Sequence, residues 1–316
     1  SRTQIQRILL ISAMVALTYF LYLHANISKM LPIIPEEIEL IQRIPEVDFE
    51  GFNNETGVNE YIVPNIVHFV RFNQPEFSFV EAVTVLAAFK NQKPDKIMFH
   101  TDSSNFTGKH WEKIVSTPGL VYELVKTTIP DSIFNQKLNE GWQVYHGGDV
   151  TRIKTLMKYG GIYLDNDAYI IQSLDRFRKF EFTIGWDYKA AMGNQILLAN
   201  KDARFLPLWL ESYKDYHRDK WYENAGFIPT REILEKRPEL VHRVNYLFGV
   251  HISFTAKLYK VYWKDWRTLY CVHLLTNHRY YLDKENYEQY PSFDEENIKN
   301  YNYTFGEMAR EAYGIS

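Results

Sequence analysis

One cysteine, Cys271, is all that a chain of 316 residues offers for covalent stapling. No internal disulfide can therefore form, and ordinary core packing must hold the domain together. No long basic run is present, and a formal net charge of −3 gives no electrostatic case for a nucleic-acid partner. Internal repeats and low-complexity tracts are likewise missing. What the chain does have is apolar material: 46% hydrophobic residues, with 23 Tyr and 20 Phe, are enough for a substantial core.

Uncharged apolar runs are short, with one exception. Residues 8–23, ILLISAMVALTYFLYL, follow Arg2 and Arg7 and contain no charge. At ~1.5 Å per residue the run rises ~24 Å, slightly less than an average hydrocarbon core. Tyr19, Phe20 and Tyr22 suit an interfacial belt. A cleaved signal peptide needs a small-x-small site, and the following YLHANI supplies none. A buried helix of a soluble protein is the other alternative for so short a run. The expectation is an uncleaved anchor, with residues 1–24 as cytosolic end and transmembrane helix and everything after them in a lumen. N-glycosylation sequons at Asn26, Asn54, Asn105 and Asn302 fit that orientation. Residues 25–60 hold Pro32, Pro35, Pro45 and scattered acids without a sustained period, and read as a stem. The folded domain is then 61–316.

From there the pattern alternates. NIVHFVRF (65–72), KIMFHTD (96–102) and LVYELVKT (120–127) have strand character, while FVEAVTVLAAFKN (79–91) and KHWEKIVS (109–116) have helical spacing. Such alternation predicts an α/β domain around a mainly parallel sheet. Ligands of these sheets bind at the carboxyl ends of strands, which draws attention to Arg71, Asp102 and Asp165. The region after residue 201 is rich in Tyr and Trp, with no linker to separate it.

The most informative stretch is GGDVTRIKTLMKYGGIYLDND, 147–167. Val150, Ile153, Leu156 and Met157 mark the apolar face of a helix starting near Gly147, with Asp149 in its first turn and Gly160-Gly161 ending it. IYL then reads as a short strand leading into Asp165-Asn166-Asp167. In extended chain the two aspartates point the same way, and paired hard oxygens suit Mg²⁺ or Mn²⁺. Asp149 and Arg152 share a helix face at its N-terminal end, where anionic or polar ligand groups are favoured. An acidic turn alone would be unremarkable; the signal is the ordered combination of Asp-x-x-Arg, helix, Gly-Gly, strand and D-x-D.

That combination closely resembles the sugar-binding D-x-D region of glycosyltransferase family 32, which includes α1,4-galactosyl-, α1,4-N-acetylglucosaminyl- and yeast α1,6-mannosyltransferases. The close likeness covers about 147–173. A looser one extends to VPNIVHFVRF upstream and NQILLANKDARFLPLWLES downstream. The resemblance implies a GT-A fold, a nucleotide-sugar donor, a divalent metal (Mn²⁺ or Mg²⁺) and retention at the anomeric carbon. It implies that Asp165 and Asp167 hold the metal, diphosphate and nearby ribose, with Asn166 between them, and that Asp149 and Arg152 contact the donor sugar. It further implies a glycan acceptor on lipid or protein. With the short anchor it implies a Golgi membrane protein of type II. The animal-type likeness and lumenal layout point to a UDP-sugar. This chain departs from the family in having Gly148 where Ser is common, and in lacking the cysteine pairs of animal lumenal members.

Four further assignments are expectations. Arg71, at a strand end, is a candidate donor-binding group; the pair Asn194-Gln195 before ILLA is either a donor-binding pair, facing the sugar or the acceptor, or a satisfied strand-end polar pair. His273, in LYCVHLL, is either a third metal ligand, as the resemblance suggests, or a hydrogen-bonded core histidine. A covalent route to retention needs a carboxylate beneath the anomeric carbon, for which Asp187 is a candidate beside a surface-loop reading. Trp186 is either a sugar-stacking ring or core. Two rival functions are a catalytically silent lumenal paralogue that binds sugar nucleotide or scaffolds, and a haloacid-dehalogenase-type phosphatase, whose D-x-D also follows a strand.

Overall fold

NIVHFVR forms β1 (Ile66–Arg71), buried along its whole length, as a strand covered on both faces must be. The computed structural model describes residues 44–315. The expected anchor at 1–24, the first part of the expected stem and Asn26 lie outside the described residues. After β1 come α1 (Phe79–Gln92), β2 (Lys96–Thr101), α2 (Lys109–Val115) and β3 (Tyr122–Lys126). A hairpin of β4 (Ser132–Ile133) and β5 (Gln136–Lys137) leads into α3 (Gln143–Tyr159), β6 (Gly161–Leu164) and β7 (Ala168–Ile170). Then follow β8 (Phe182–Gly185), β9 (Ile196–Ala199), α4 (Phe205–Glu211), β10 (His242–Val244) and β11 (Phe248–Gly249). The chain finishes with α5 (Phe254–Tyr259), β12 (Cys271–His273), α6 (Arg279–Leu282), α7 (Lys284–Gln289) and α8 (Thr304–Tyr313).

The central sheet has seven strands in the order β10-β8-β9-β6-β1-β2-β3. Strand β9 runs antiparallel to β6 and β8, and the other neighbours are parallel. This is the mixed α/β fold that the alternation predicts. Side-chain alternation sends Val67 and Phe69 of β1, with Ile162 and Leu164 of β6, into a core under α1 and α8. Val70 and Tyr163 go to the opposite core, with Val150 and Ile153 of α3 and Trp209 of α4. A second sheet, β11-β12-β7, branches off immediately after the D-x-D segment.

The Gly160-Gly161 step turns α3 into β6. Gly160 has φ 64° and Gly161 φ 104°, both disfavoured for residues with a Cβ. A Cβ on Gly161 would lie 2.6 Å from the Ile66 carbonyl and 2.8 Å from His68 Nε2. A histidine ladder fixes the same corner: His100 Nε2 donates to His68 Nδ1 at 3.1 Å, and His68 Nε2 donates to the Gly160 carbonyl at 2.8 Å. This needs the His68 ring neutral, so that its Nδ1 can accept. Burial, reinforced by His100, pushes His68 down to about 3, and burial pushes His100 down to about 4.

Residues 44–60 differ from the stem expected there. Phe49 is buried and packs edge-on against Phe52 at 5.1 Å. Asn54 Nδ2 donates to Glu181 Oε2 and to the Glu239 carbonyl, both at 2.9 Å, and Asn54 Oδ1 accepts from Glu181 N at 3.0 Å. Glu181, fully buried, pairs with Arg204 at 2.7 Å. The packed body thus starts well before residue 61. These contacts are long-range, so the local lack of period concealed them. The amide of Asn54 is committed, which closes that sequon in the folded protein; Asn105 and Asn302 are exposed. Among the described residues no helix is long and apolar enough to cross a membrane.

Two outcomes follow for stability, both measurable by denaturant titration. Gly161→Ala should cost about 2–4 kcal/mol through its φ and the clash with Ile66. The buried histidines have folded values below the unfolded one, so their stabilising effect is complete above pH 6.5. It is lost at about 1.4 kcal/mol per pH unit for each ring as pH falls toward 4. His100→Gln should flatten that acid limb.

Candidate functional site

Asp165, Asn166 and Asp167 join β6 to β7 through a tight turn, closed by Ala168 N donating to the Asp165 carbonyl at 2.9 Å. The expected extended geometry does not hold: the carboxylates are gathered by the turn and by partners from elsewhere. Asn166, expected to face the donor, borders the cavity but turns its side chain inward. Its Nδ2 donates to the Val70 carbonyl at 2.8 Å, its Oδ1 accepts from Arg71 at 3.3 Å, and its carbonyl accepts from Thr84 Oγ1 at 2.7 Å.

Arg71 is likewise no donor contact. Its guanidinium is buried, pairs with Glu81 at 2.8 Å, donates to the Glu76 carbonyl at 2.9 Å and lies 3.8 Å over the Phe77 ring. Glu81 also closes the capping box of α1, accepting from Ser78 N at 2.7 Å. The helix cap, Arg71 and Asn166 therefore form one relay that fixes the turn. Asp102 has a comparable local task, accepting from Asn73 N at 3.0 Å.

On the other side, β7 pairs with β12 in a register that sets Ala168 opposite His273. His273 Nε2 then donates to Asp167 Oδ1 at 2.9 Å, and Thr276 N donates to Oδ2 at 2.9 Å. Burial alone would raise the Asp167 carboxyl, but His273 and the Thr276 amide outweigh it and hold the group below its ordinary value. Burial pulls His273 down while Asp167 pulls it up, and the net direction is up. Asp165, Asp167 and His273 bring ligand atoms within 4.8 Å of one another. Two carboxylates and, once its Nε2 proton is displaced, an imidazole form an oxygen-rich donor set suited to a divalent cation. Nδ1 of His273 is buried with no partner, so the ring is oriented by this cluster alone.

The Asp-x-x-Arg pair is buried beside it. Arg152 bonds Asp149 Oδ1 at 3.0 Å, Asp165 Oδ1 at 3.3 Å and the Asn194 carbonyl at 2.7 Å, and lies 4.7 Å over the Tyr163 ring. Tyr163 donates to Asp165 Oδ1 at 2.7 Å. Burial opposes the Arg152 charge, yet Asp165, Tyr163 and Asp149 hold it firmly protonated. Burial raises Asp149 to about 6 against the pull of Arg152. Asn194 Nδ2 donates to Asp149 Oδ1 at 3.0 Å, and Gln195 Oε1 is buried without a partner. Helix α3 starts at Gln143, a turn before the expected Gly147, so Asp149 lies inside the helix and the helix-end argument for its role lapses. Of the two glycines that open the motif, only Gly147 is required by packing. A Cβ on Gly147 would come within 3.1 Å of Ile129, while Gly148 faces open cavity.

Two adjoining cavities meet at this centre and share Tyr145, Arg152, Asp165, Asp167 and Asn277. One, about 530 Å³, extends past Asn73, Gln74 and Gly148. The other, about 460 Å³, holds Asp149, Asn194, Gln195 and His273 beneath Trp142, Trp221 and Tyr280. Both volumes are ordinary for small-molecule sites. Asp187 is not brought here: it lines a separate cavity, with its Oδ1 accepting from Tyr246 N at 2.8 Å. Trp186 is core, its Nε1 donating to the Ala190 carbonyl at 3.0 Å and its ring covered by Arg243 at 4.0 Å. Sequence reasoning missed Tyr163, Thr276 and the ring-lined rim. Tyr163 alone carried a local signal, standing two residues before Asp165 on the same strand face.

If Arg71 positions the turn, Arg71→Met should weaken Mn²⁺ binding about 10–100-fold by calorimetry. It should also cost about 3 kcal/mol of stability, because Glu81 loses a buried partner. Unchanged metal affinity would show that the relay does not govern the turn.

Comparison with known proteins adds identity to this geometry. Residues 81–183 match the family described as glycosyltransferase sugar-binding region containing DXD motif. Glucan organizing enzyme 1 of Cryptococcus neoformans var. grubii is 28% identical over 186 residues, 53% of this chain and 49% of that protein. The match thus spans about half the length of that curated relative. Among solved structures, mouse xyloside xylosyltransferase 1 is similar at TM-score 0.43 and 10% identity, over 66% of this chain and 96% of that one. The galactosyltransferase LgtC in complex with donor and acceptor sugar analogs gives TM-score 0.41 and 14% identity, over 79% and 95%. The matched segment contains α3, Asp149, Arg152 and the Asp165-Asn166-Asp167 turn, so the centre described above lies inside a region similar to the DXD-containing sugar-binding region of glycosyltransferases.

Proposed function

We propose that the chain is a metal-dependent, retaining glycosyltransferase of GT-A type. It moves a hexose or N-acetylhexosamine from a nucleotide sugar, a UDP-sugar, to a glycan acceptor on a lipid or protein. The observation that carries this is the Asp165-Asp167-His273 cluster at the seam of two cavities. A divalent cation held there, Mn²⁺ or Mg²⁺, supplies the charge that stabilises a departing nucleoside diphosphate.

The protein's own groups divide the remaining work. The larger cavity, with Asn73 and Gln74 as polar groups, has room for the nucleoside. Arg152, braced by Asp149 and the Asn194 carbonyl, fixes the Asp165 carboxylate so that no reorganisation is needed when the donor binds. Asp149 Oδ1 is occupied by Arg152 and Asn194, whereas Oδ2 has no hydrogen bond among the described residues, and can accept a donor-sugar hydroxyl. With Asp187 elsewhere, the carboxylates in the smaller cavity among the described residues are Asp149, Asp165 and Asp167. All three are engaged by Arg152 or His273. That supports same-face attack over a covalent intermediate. The run at 8–23 with its flanking arginines and the exposed sequons at Asn105 and Asn302 support a Golgi type II placement, the domain lumenal. The phosphatase reading has no counterpart here, since the sugar-binding match spans the same D-x-D.

The test is hydrolysis of UDP-galactose, UDP-N-acetylglucosamine, UDP-N-acetylgalactosamine, UDP-glucose and GDP-mannose with and without Mn²⁺. One donor should be cleaved in the presence of metal, with turnover reduced about 10²–10³-fold in Asp165→Ala and Asp167→Ala. Absence of turnover for every donor by the well-folded chain would refute the activity and leave a silent sugar-nucleotide binder.

A further inference from the structure

A third cavity, about 720 Å³, shares no lining residue with the two that meet at the D-x-D turn. Its walls come from the loops after β8 and β10, from helix α5 and from the stretch around Trp263. Asp187 is set into this cavity. The residue is only 4% exposed, and its Oδ1 accepts from Tyr246 N at 2.8 Å. Its Oδ2 has no hydrogen bond among the described residues, yet it is not sealed from solvent. Buried polar atoms are normally satisfied, so an open carboxylate oxygen on a cavity wall marks a place where a donor from outside can bind.

Both loops hold that carboxylate in position. Arg243 donates to the Trp186 and Asp187 carbonyls at 2.6 and 2.8 Å, and Tyr188 N donates to Asn245 Oδ1 at 3.0 Å. Lys189 and Tyr246 adopt left-handed backbone, φ 61° and 59°, which residues with a Cβ keep only where their surroundings enforce it. On the α5 side, Lys257 Nζ lies 4.4 Å over the Trp263 ring and 5.1 Å over Phe254. Neither Lys189 nor Lys257 has an ion-pair partner among the described residues. The rings of Tyr188 and Tyr246 stand open to solvent. The charge balance is the reverse of that at the D-x-D centre. Two free lysines face one carboxylate here, whereas in the smaller cavity there one arginine faces three.

We propose that this cavity is a second carbohydrate site, distinct from the transfer centre, and that it takes a pyranoside carrying an anionic substituent. A ring hydroxyl donates to Asp187 Oδ2. A uronate, sulfate or phosphate on the same sugar pairs with Lys257 and Lys189, and a C–H face rests on the Tyr188 or Tyr246 ring. A bare anion binds less well, because it meets the Asp187 charge without a hydroxyl to offset it. A neutral sugar binds less well because it leaves both lysines unused. No bond is made or broken at this site, so the assignment does not depend on the transfer reaction.

Saturation-transfer NMR titration of the full chain reads this binding directly. The probes are glucuronic acid, glucose 6-phosphate and N-acetylglucosamine 6-sulfate, beside methyl glucoside and glycerol 1-phosphate. At least one charged sugar should bind about tenfold more tightly than methyl glucoside or glycerol 1-phosphate, and its identity names the substituent. Added UDP with Mn²⁺ should not displace it. Asp187→Asn keeps the Oδ1 acceptor for Tyr246 N but puts an amide donor in place of Oδ2, and should weaken the charged sugar about tenfold. Lys257→Met keeps an apolar stem on Trp263 and should remove the preference for charged over neutral sugar, with donor hydrolysis unchanged. Equal binding of glycerol 1-phosphate would reduce the cavity to a site for anions or lipid headgroups and overturn the proposal. Displacement by UDP, indifference to both substitutions, or no binding of any charged sugar would overturn it as well.

Discussion

Three carboxylates, Asp149, Asp165 and Asp167, share one small and partly dry volume, and their mutual repulsion is the constraint that organises the site. Buried like charges at this spacing are tolerated only when paired. Arg152 is inserted between Asp149 and Asp165 at 3.0 and 3.3 Å, and His273 sits against Asp167 at 2.9 Å. Burial, more than repulsion from Asp165, raises Asp149 to about 6 against the pull of Arg152.

The fold delivers these groups through two unrelated pairings. On one side β1 ends in Arg71, which reaches Asn166 and the capping glutamate of α1. On the other, the small sheet that starts at β7 brings in β12, and with it His273 and the backbone after it. The turn is therefore clamped from both ends, by segments that lie far from it in sequence. Gly160 and Gly161, locked by the His68-His100 ladder, set the direction from which β6 enters. Helix α3 carries Asp149, Arg152 and the rim residue Tyr145, whereas Asp165 and Asp167 sit on the clamped turn.

Much of this was legible in the sequence because its signals are local. Alternating periods announced the α/β sheet, glycines marked the end of α3, and D-x-D after a buried strand marked the site. What escaped depends on contacts between distant residues. Nothing in the D-x-D triplet reveals that it turns instead of running extended, or that Asn166 looks inward toward Val70 and Arg71. Asp187 is a candidate nucleophile by residue type alone, and it lies past the end of β8 in another cavity. Residues 44–60 lack a period and still pack, because Asn54 is defined by Glu181, far along the chain. The ring-lined rim escaped for the same reason: Tyr145, Trp221 and Tyr280 become neighbours only when three separate segments are folded together.

The account stands or falls on a cation between Asp165, Asp167 and His273. Crystals grown with MnCl₂ and UDP, with diffraction data collected at the manganese absorption edge, test it most directly. The account predicts one anomalous peak bonded to these three side chains and to diphosphate oxygens. A peak elsewhere, or bound UDP with no metal at the cluster, would contradict it.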